Sequence, residues 1–188
     1  AGVLYVATQR LCRAENLVPG EKMDEPDDPK TTGATLSRWV VANRGDLSGP
    51  DSLPIWKPPY SRIIAIDMHT GEFLWETPNG DTPRHIREHP RLKDLNLPPT
   101  GQLVHGVTLP TKTLLLTAPG VDPVLYALDK RTGRRVGTVR LPAPGQYGMM
   151  GYLHEGRQYV VVQVASGNFP GSLVALRLPA AAKPGAHE

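Results

Sequence analysis

"AIDMHTGEFLW" (residues 65–75) and "ALDKRTGRRVG" (residues 127–137) repeat one pattern, Ala-x-Asp-x-x-Thr-Gly, each copy behind an apolar run. Self-similarity of this kind marks a structural unit used more than once. The pattern has a local physical reason. The carboxylates of Asp67 and Asp129 can accept hydrogen bonds from backbone N–H groups two or three residues on, and Gly71 and Gly133 permit a positive φ. Both stretches are therefore predicted to be tight connections between neighbouring antiparallel strands. Trp75 is expected to lay a large apolar surface between one sheet and the next. Gly137 stands in its place in the second copy.

Short apolar runs bounded by turn residues extend the repeat outward. "VLYVAT" (3–8), "TLLLTA" (113–118) and "YVVVQVA" (159–165) form one set, suited to the buried centre of a sheet. "RIIAID" (62–67), "VLYALD" (124–129) and "SLVALRL" (172–178) form a second, with Ala65, Ala127 and Ala175 in equivalent places. "EFLWETP" (72–78) and "RRVGTVRLP" (134–142) follow the two turns. Four-stranded units repeated in this way predict an all-β fold, a β-propeller. Parts of three blades are legible, at residues 1–80, 101–142 and 145–179, the third without a further outer strand. Closed rings have at least about four blades, so the expectation is a partial propeller.

Composition agrees. Among 188 residues, 39% are hydrophobic and 21% charged, enough for a sizeable core and against wholesale disorder. Twenty prolines and nineteen glycines favour short strands and turns over long helices. The formal charge of +3 comes from scattered Lys and Arg with no basic stripe, which argues against a nucleic-acid partner. Cys12 is the single cysteine, so neither an internal disulfide nor a thiolate metal site can form. No stretch approaches the roughly twenty apolar residues of a membrane span.

Two stretches interrupt the repeat. Residues 9–60 replace a short loop with a long insert containing "EKMDEPDDPKTTG" and "GDLSGPDSLPIWKPPY", and loops of that length are usually functional or disordered. Its Trp39, Trp56 and Tyr60 are expected to anchor it. Residues 79–101 form an inter-blade loop with one expected helical turn near "PRHIREHPRLK". The tail, residues 180–188, is Ala/Pro/Gly-rich and expected to be disordered.

His85 and His89 stand i, i+4, a spacing that can bind a metal from a helix, but the order His-Ile-Arg-Glu-His is not the zinc-peptidase form, and Pro83 and Pro90 leave under two helical turns. No metal ligand is assigned. "SGNFPGS" (166–172) lacks the Lys and Ser/Thr of a phosphate-binding loop and is predicted to be a tight turn between the last two strands. No Gly-x-Ser-x-Gly elbow occurs.

In their order, "KPPYSRIIAIDMHTGEFLWETPNGDTP", "HPRLKDLNLPPTG", "LPTKTLLLTAPG", "VLYALDKRTG" and "LPAPGQYGMMGYLHEGRQYVVVQVASG" resemble the quinoprotein dehydrogenases, in the branch of the membrane-associated glucose dehydrogenases. The resemblance covers residues 55–179. The chain departs from the family pattern in its insert and at Met149, which stands where proline is usual. The resemblance implies the C-terminal blades of an eight-bladed propeller that carries pyrroloquinoline quinone (PQQ) and calcium. It implies oxidation of a sugar or alcohol, with electrons passed to a quinone, in the periplasm, with any membrane anchor outside this chain. The stacking Trp, the metal ligands and the catalytic base would lie in preceding blades of the same propeller, so the catalytic residues are unknown. One position carries over: Asp122, in "APGVDPVLYALD", matches an Asp that approaches the cofactor region, which makes it the candidate cofactor-binding residue. Its other reading is an ordinary turn residue. The alternative for the whole is a non-catalytic repeat propeller acting as a protein-binding or assembly module.

Overall fold

The computed structural model describes residues 2–20, 38–104 and 106–178. Three antiparallel sheets carry the fold. The first is β1 (Val3–Gln9), β4 (Ser61–Asp67) and β5 (Phe73–Pro78), in the order β1-β4-β5; between β1 and β4 in sequence come β2 (Arg13–Pro19) and β3 (Trp39–Asp46), which pair only with each other. A one-turn helix α1 (Arg84–Arg87) precedes the second sheet, β6 (Val107–Pro110), β7 (Leu114–Ala118), β8 (Val124–Asp129) and β9 (Arg135–Arg140), in sequential order. The third is β10 (Gly145–His154), β11 (Arg157–Ser166) and β12 (Phe169–Arg177), again sequential. These are three blades of a propeller, one of them four-stranded.

The repeat read from sequence is a repeat of register. Ala65 lies opposite Trp75 and Ala127 opposite Gly137, and each hairpin carries an irregularity at the next residue, Ile66 or Leu128. The two turns match in the same detail. Asp67 Oδ1 accepts from the N–H groups of His69 (2.7 Å) and Thr70 (3.3 Å), and Asp129 Oδ1 from those of Arg131 (2.8 Å) and Thr132 (3.2 Å). The closing glycines sit at φ +75° (Gly71) and +70° (Gly133).

The core lies between the sheets, in two layers. Ile63, with Tyr5 and Trp75, packs from the first sheet onto Leu115, Tyr126 and Leu128 of the second. Ala118 and Leu125 of the second pack with Leu141 and Ala143 onto Val162 and Val164 of the third. Strand β8 thus sends Leu125 to one layer and Tyr126 and Leu128 to the other. Coverage of both faces explains why "VLYALD" is almost continuously apolar. Each fully buried aliphatic side chain in these layers contributes about 1.5–3 kcal/mol.

Three sequence expectations need correction. Strands β6 and β10 are absent from the runs read above, because β6 is four residues ending in Pro110 and β10 contains three glycines, both poor strand signals. "SGNFPGS" is not all turn: Ser166 pairs with Phe169, and Phe169 to Ser172 already belong to β12, where Pro170 is tolerated on an edge strand. Within the insert, Arg10–Lys57 form a compact unit of their own. Its β2–β3 ribbon is apolar at one end, where Leu17 and Val18 pair with Val41 and Val40, and joined at the other by cross-strand ion pairs, Arg13–Asp46 and Glu15–Arg44, both 2.8 Å. Trp39 and Trp56 are about half exposed (53% and 44%), and Tyr60, which belongs to the other unit, is buried. "EKMDEPDDPKTTG", His105, and residues 180–188, the expected disordered tail, lie outside the described residues.

Candidate functional site

Antiparallel order sorts the loops by end. The Asp-x-x-Thr-Gly turns, the β6–β7 connection and the β10–β11 turn lie at one end of the sheets. The β5–β6, β7–β8 and β9–β10 connections lie at the other, and Asp122 is in the β7–β8 connection.

The long β5–β6 connection is fastened to that end by polar groups. Asn79 is fully buried; its N–H donates to the Ser61 carbonyl (3.1 Å) and its Oδ1 accepts from Thr117 Oγ1 (3.1 Å). The Asn79 carbonyl accepts from the Gln102 N–H (3.0 Å), and the Thr100 carbonyl from the Tyr60 N–H (2.7 Å). Thr82 Oγ1 donates to the Pro98 carbonyl (3.2 Å), which closes the loop on itself. Gly101, at φ +74°, makes the turn that sends Gln102 inward.

Two carboxylates meet at this fastening and have different partners. Asp81 Oδ1 accepts from Arg135 Nη2 (2.8 Å) and its Oδ2 from the Tyr126 hydroxyl (3.2 Å), while the guanidinium carbon of Arg135 lies 3.9 Å over the Tyr126 ring. The hydrogen bond from Arg135 holds the Asp81 carboxyl below the usual carboxylate range against its burial. Burial, reinforced by the charge of Asp81, pushes the Tyr126 hydroxyl up to about 12. Asp81 is therefore a charged structural tie between the loop and β9.

Asp122 has no salt-bridge partner among the described residues. Its Oδ2 accepts from Gln102 Nε2 (2.7 Å), and its backbone carbonyl accepts from the Val124 N–H (2.8 Å). Burial raises its carboxyl above the usual range and the nearby charge of Asp81 adds to this, with Arg87 opposing. Asp122 and Gln102 line an open cleft of about 420 Å³ whose other walls include Arg84, His85, Leu103 and Val121. A second cleft of about 470 Å³ lies at the start of β6 and β10, lined by Val104, Gly106, Gly120, Gln146 and Tyr147. Tyr147 has φ +65° and is 82% exposed there, and Gln146 Nε2 is tied to the Gly120 carbonyl (3.2 Å).

The expected helical turn is present as α1, and His85 on it faces the first cleft. His89 accepts from the Arg91 N–H at Nδ1 (3.2 Å). Among the described residues no three His, Cys, Asp or Glu side chains are grouped to hold a metal ion. Sequence reasoning singled out Asp122, which the structure places at the first cleft, but not its neighbours Asp81, Gln102, Tyr126 and Arg135. No sequence signal joins Asp81 to Arg135, since the two are 54 positions apart.

The two carboxylates make opposite predictions for stability. Asp122 has its proton affinity raised by folding, so its ionised form weakens the fold: the penalty is absent below its unfolded pKa and complete above its folded one. Asp122→Asn is expected to raise Tm at pH 7 by about 1–3 °C, an advantage that vanishes in acid where Asp122 is protonated. Asp81 behaves inversely. Its contribution is present above its unfolded pKa and lost as pH falls through the folded one, so Asp81→Asn is expected to lower Tm at pH 7. Thermal melts of both variants across pH 3–8 check the pair of signs.

The loops of this partial propeller gather a partly buried carboxylate and two clefts at one end, and comparison with known proteins identifies the family. The profile of the family "PQQ: Glucose/ethanol/alcohol dehydrogenase, beta-propeller domain" matches residues 1–160. The chain belongs to this family of quinoprotein dehydrogenases. It is 29% identical over 150 residues to the quinoprotein glucose dehydrogenase of Escherichia coli (strain K12), covering 77% of this chain and 19% of that protein. To a probable quinate dehydrogenase (quinone) of Xanthomonas campestris pv. juglandis it is 36% identical over 130 residues, 65% of this chain and 16% of that one. To the glycerol dehydrogenase large subunit of Gluconobacter oxydans (strain 621H) it is 31% identical over 187 residues, 90% of this chain and 25% of that one. The matches thus span a quarter or less of these relatives' lengths.

Proposed function

We propose that this chain forms the C-terminal blades of a PQQ-dependent dehydrogenase that oxidises a hydroxyl-bearing carbon of a sugar or related alcohol and delivers the electrons to a quinone. The observation that carries the reading is Asp122: a carboxylate with its proton affinity raised by burial, lining a cleft at the loop end of the sheets, in a chain whose family is PQQ-dependent. A carboxyl whose proton affinity is raised by its surroundings is suited to accepting a proton, so Asp122 takes here a role that the family resemblance would place in preceding blades. The relatives are named for glucose, quinate and glycerol, all polyhydroxylated, which supports the substrate class and leaves its member open.

The residues at this end suit one side of a flat, acidic cofactor. Tyr147 offers an exposed aromatic face, Gln146 is an amide held in place, and Arg84 lines the first cleft. PQQ bound there supplies the two-electron oxidation, and the protein's part is placement, the proton and the exclusion of water. Calcium, which the family resemblance implies, would be held by ligands outside the described residues.

A free face supports further blades. In the third sheet Met149, Val162 and Val174 pack into the core, while the alternate residues Met150, Tyr152 and Leu173 are exposed (55%, 39% and 74%) on the opposite side. The first and second sheets each cover such a face with the next sheet, and we assign this one to another blade of the same propeller. A periplasmic location completes the reading.

The test uses the protein isolated from its host with an antibody against residues 107–177. PQQ with calcium is expected to raise Tm, by the equivalent of about 2.7 kcal/mol at a hundredfold excess over Kd. Glucose, quinate or glycerol is then expected to reduce a quinone dye. An unchanged Tm and no dye reduction would overturn the proposal in favour of a non-catalytic binding propeller.

A further inference from the structure

We infer that Gln102 is the positioning residue for Asp122, fixing where its carboxylate stands without supplying a countercharge; this rests on the role proposed for Asp122. Gln102 is 1% exposed. A side-chain amide nitrogen has two hydrogens to donate, and both are used: one goes to the Asp81 carbonyl at 3.0 Å, the other to Asp122 Oδ2 at 2.7 Å. The backbone N–H of Gln102 is held by Asn79, so the residue is fixed at both ends. One side chain thereby locks the β5–β6 connection to the β7–β8 connection at the floor of the cleft.

The choice of a neutral donor matters. Several ionisable groups surround Asp122: Asp81 and Arg87 act on it electrostatically, and Arg84, His85 and Glu88 line the same cleft. Arg84 is paired with Glu88 at 2.9 Å, and Asp81 is taken by Arg135 and Tyr126. The direct contact to Asp122 comes from an amide. A lysine or arginine in its place would hold the carboxyl ionised and weaken it as a base. An apolar residue would leave it free to turn. Gln102 gives a fixed orientation and lowers the proton affinity less than a cation would.

The experiment reads Asp122 directly, by carbon-13 NMR titration of labelled aspartate in the whole protein, with Asp122→Asn identifying the signal. In Gln102→Met, which keeps the size and removes both donors, the Asp122 midpoint is expected to move to higher pH, because a hydrogen bond to the ionised form is gone. Turnover is expected to fall about tenfold with KM little changed, as for a displaced catalytic group. Gln102→Glu keeps the shape, so it serves if Gln102→Met does not fold. It is expected to raise the midpoint as two adjoining carboxyls share a proton, and to regain turnover at low pH, where the protonated Glu can donate. An Asp122 midpoint unmoved in the folded variants overturns the inference. A moved midpoint together with wild-type turnover in Asp122→Asn upholds Gln102 as the residue that fixes Asp122 and instead removes Asp122 from the reaction.

Discussion

Replacing Gly101 by alanine is expected to cost 3 kcal/mol or more, roughly a third of the stability of an ordinary domain. Two independent effects add. At φ +74° an L side chain is strained by about 1–2 kcal/mol. The new Cβ would also stand 2.1 Å from the Ser61 carbonyl oxygen and 3.0 Å from its carbon, which are backbone atoms at the start of β4 and cannot rotate away. The strand or the loop must move, and the loop is the weaker partner. Gly101 lies between Thr100, which accepts the Tyr60 N–H, and Gln102, which holds Asp81 and Asp122. Displacement therefore releases the fastening as well as the packing. Urea unfolding should show a midpoint well below that of the parent chain, and a loss under about 1 kcal/mol would mean that the loop absorbs the methyl group and that the approach is not rigid.

Such positions separate what was legible in the sequence from what was not. The Asp-x-x-Thr-Gly turns were legible because every interaction in them is local: the acceptor and its donors lie within three residues. The central strands were legible because burial on both faces writes itself as an apolar run, as in "VLYALD". Strand β10 was not, since its glycines carry no side-chain signal. Its pairing partner, the Val-rich β11, supplies the reason for the strand and lies next to it in space. The site divides along the same line. Asp122 was singled out only through family resemblance, and its role is a proposal. Asp81, Gln102, Tyr126 and Arg135 are ordinary residues whose meaning lies in contacts made 20 to 54 positions away. Periodicity and spacing do not record such contacts, because nothing local constrains them.

The repeated turn allows a sharper test of tertiary context. Gly71 and Gly133 close the same motif at φ +75° and +70°, so the backbone cost of alanine, about 1 kcal/mol, is shared. Their surroundings differ. A Cβ at Gly71 meets nothing within 4 Å, whereas one at Gly133 would meet the Trp75 ring at 2.6 Å. Trp75 cannot yield easily. Its Nε1 donates to the Lys130 carbonyl at 3.1 Å, the Tyr5 hydroxyl donates to the same oxygen at 3.1 Å, and the two rings pack with centroids 5.8 Å apart. Together they hold the turn of the second sheet against the first. Gly71→Ala is therefore expected to cost about 1 kcal/mol, and Gly133→Ala about 3 kcal/mol once overpacking is added. Trp75→Ala alone should cost about 2–4 kcal/mol as the wedge between the sheets is lost. In that background the methyl group at position 133 has room, so Gly133→Ala should fall back to about 1 kcal/mol and expose a coupling of about 2 kcal/mol between the two sites. Denaturant unfolding of the four members of the cycle measures it. Additive costs would mean that the Trp75 ring yields to the methyl group and does not brace the Lys130 turn against the first sheet.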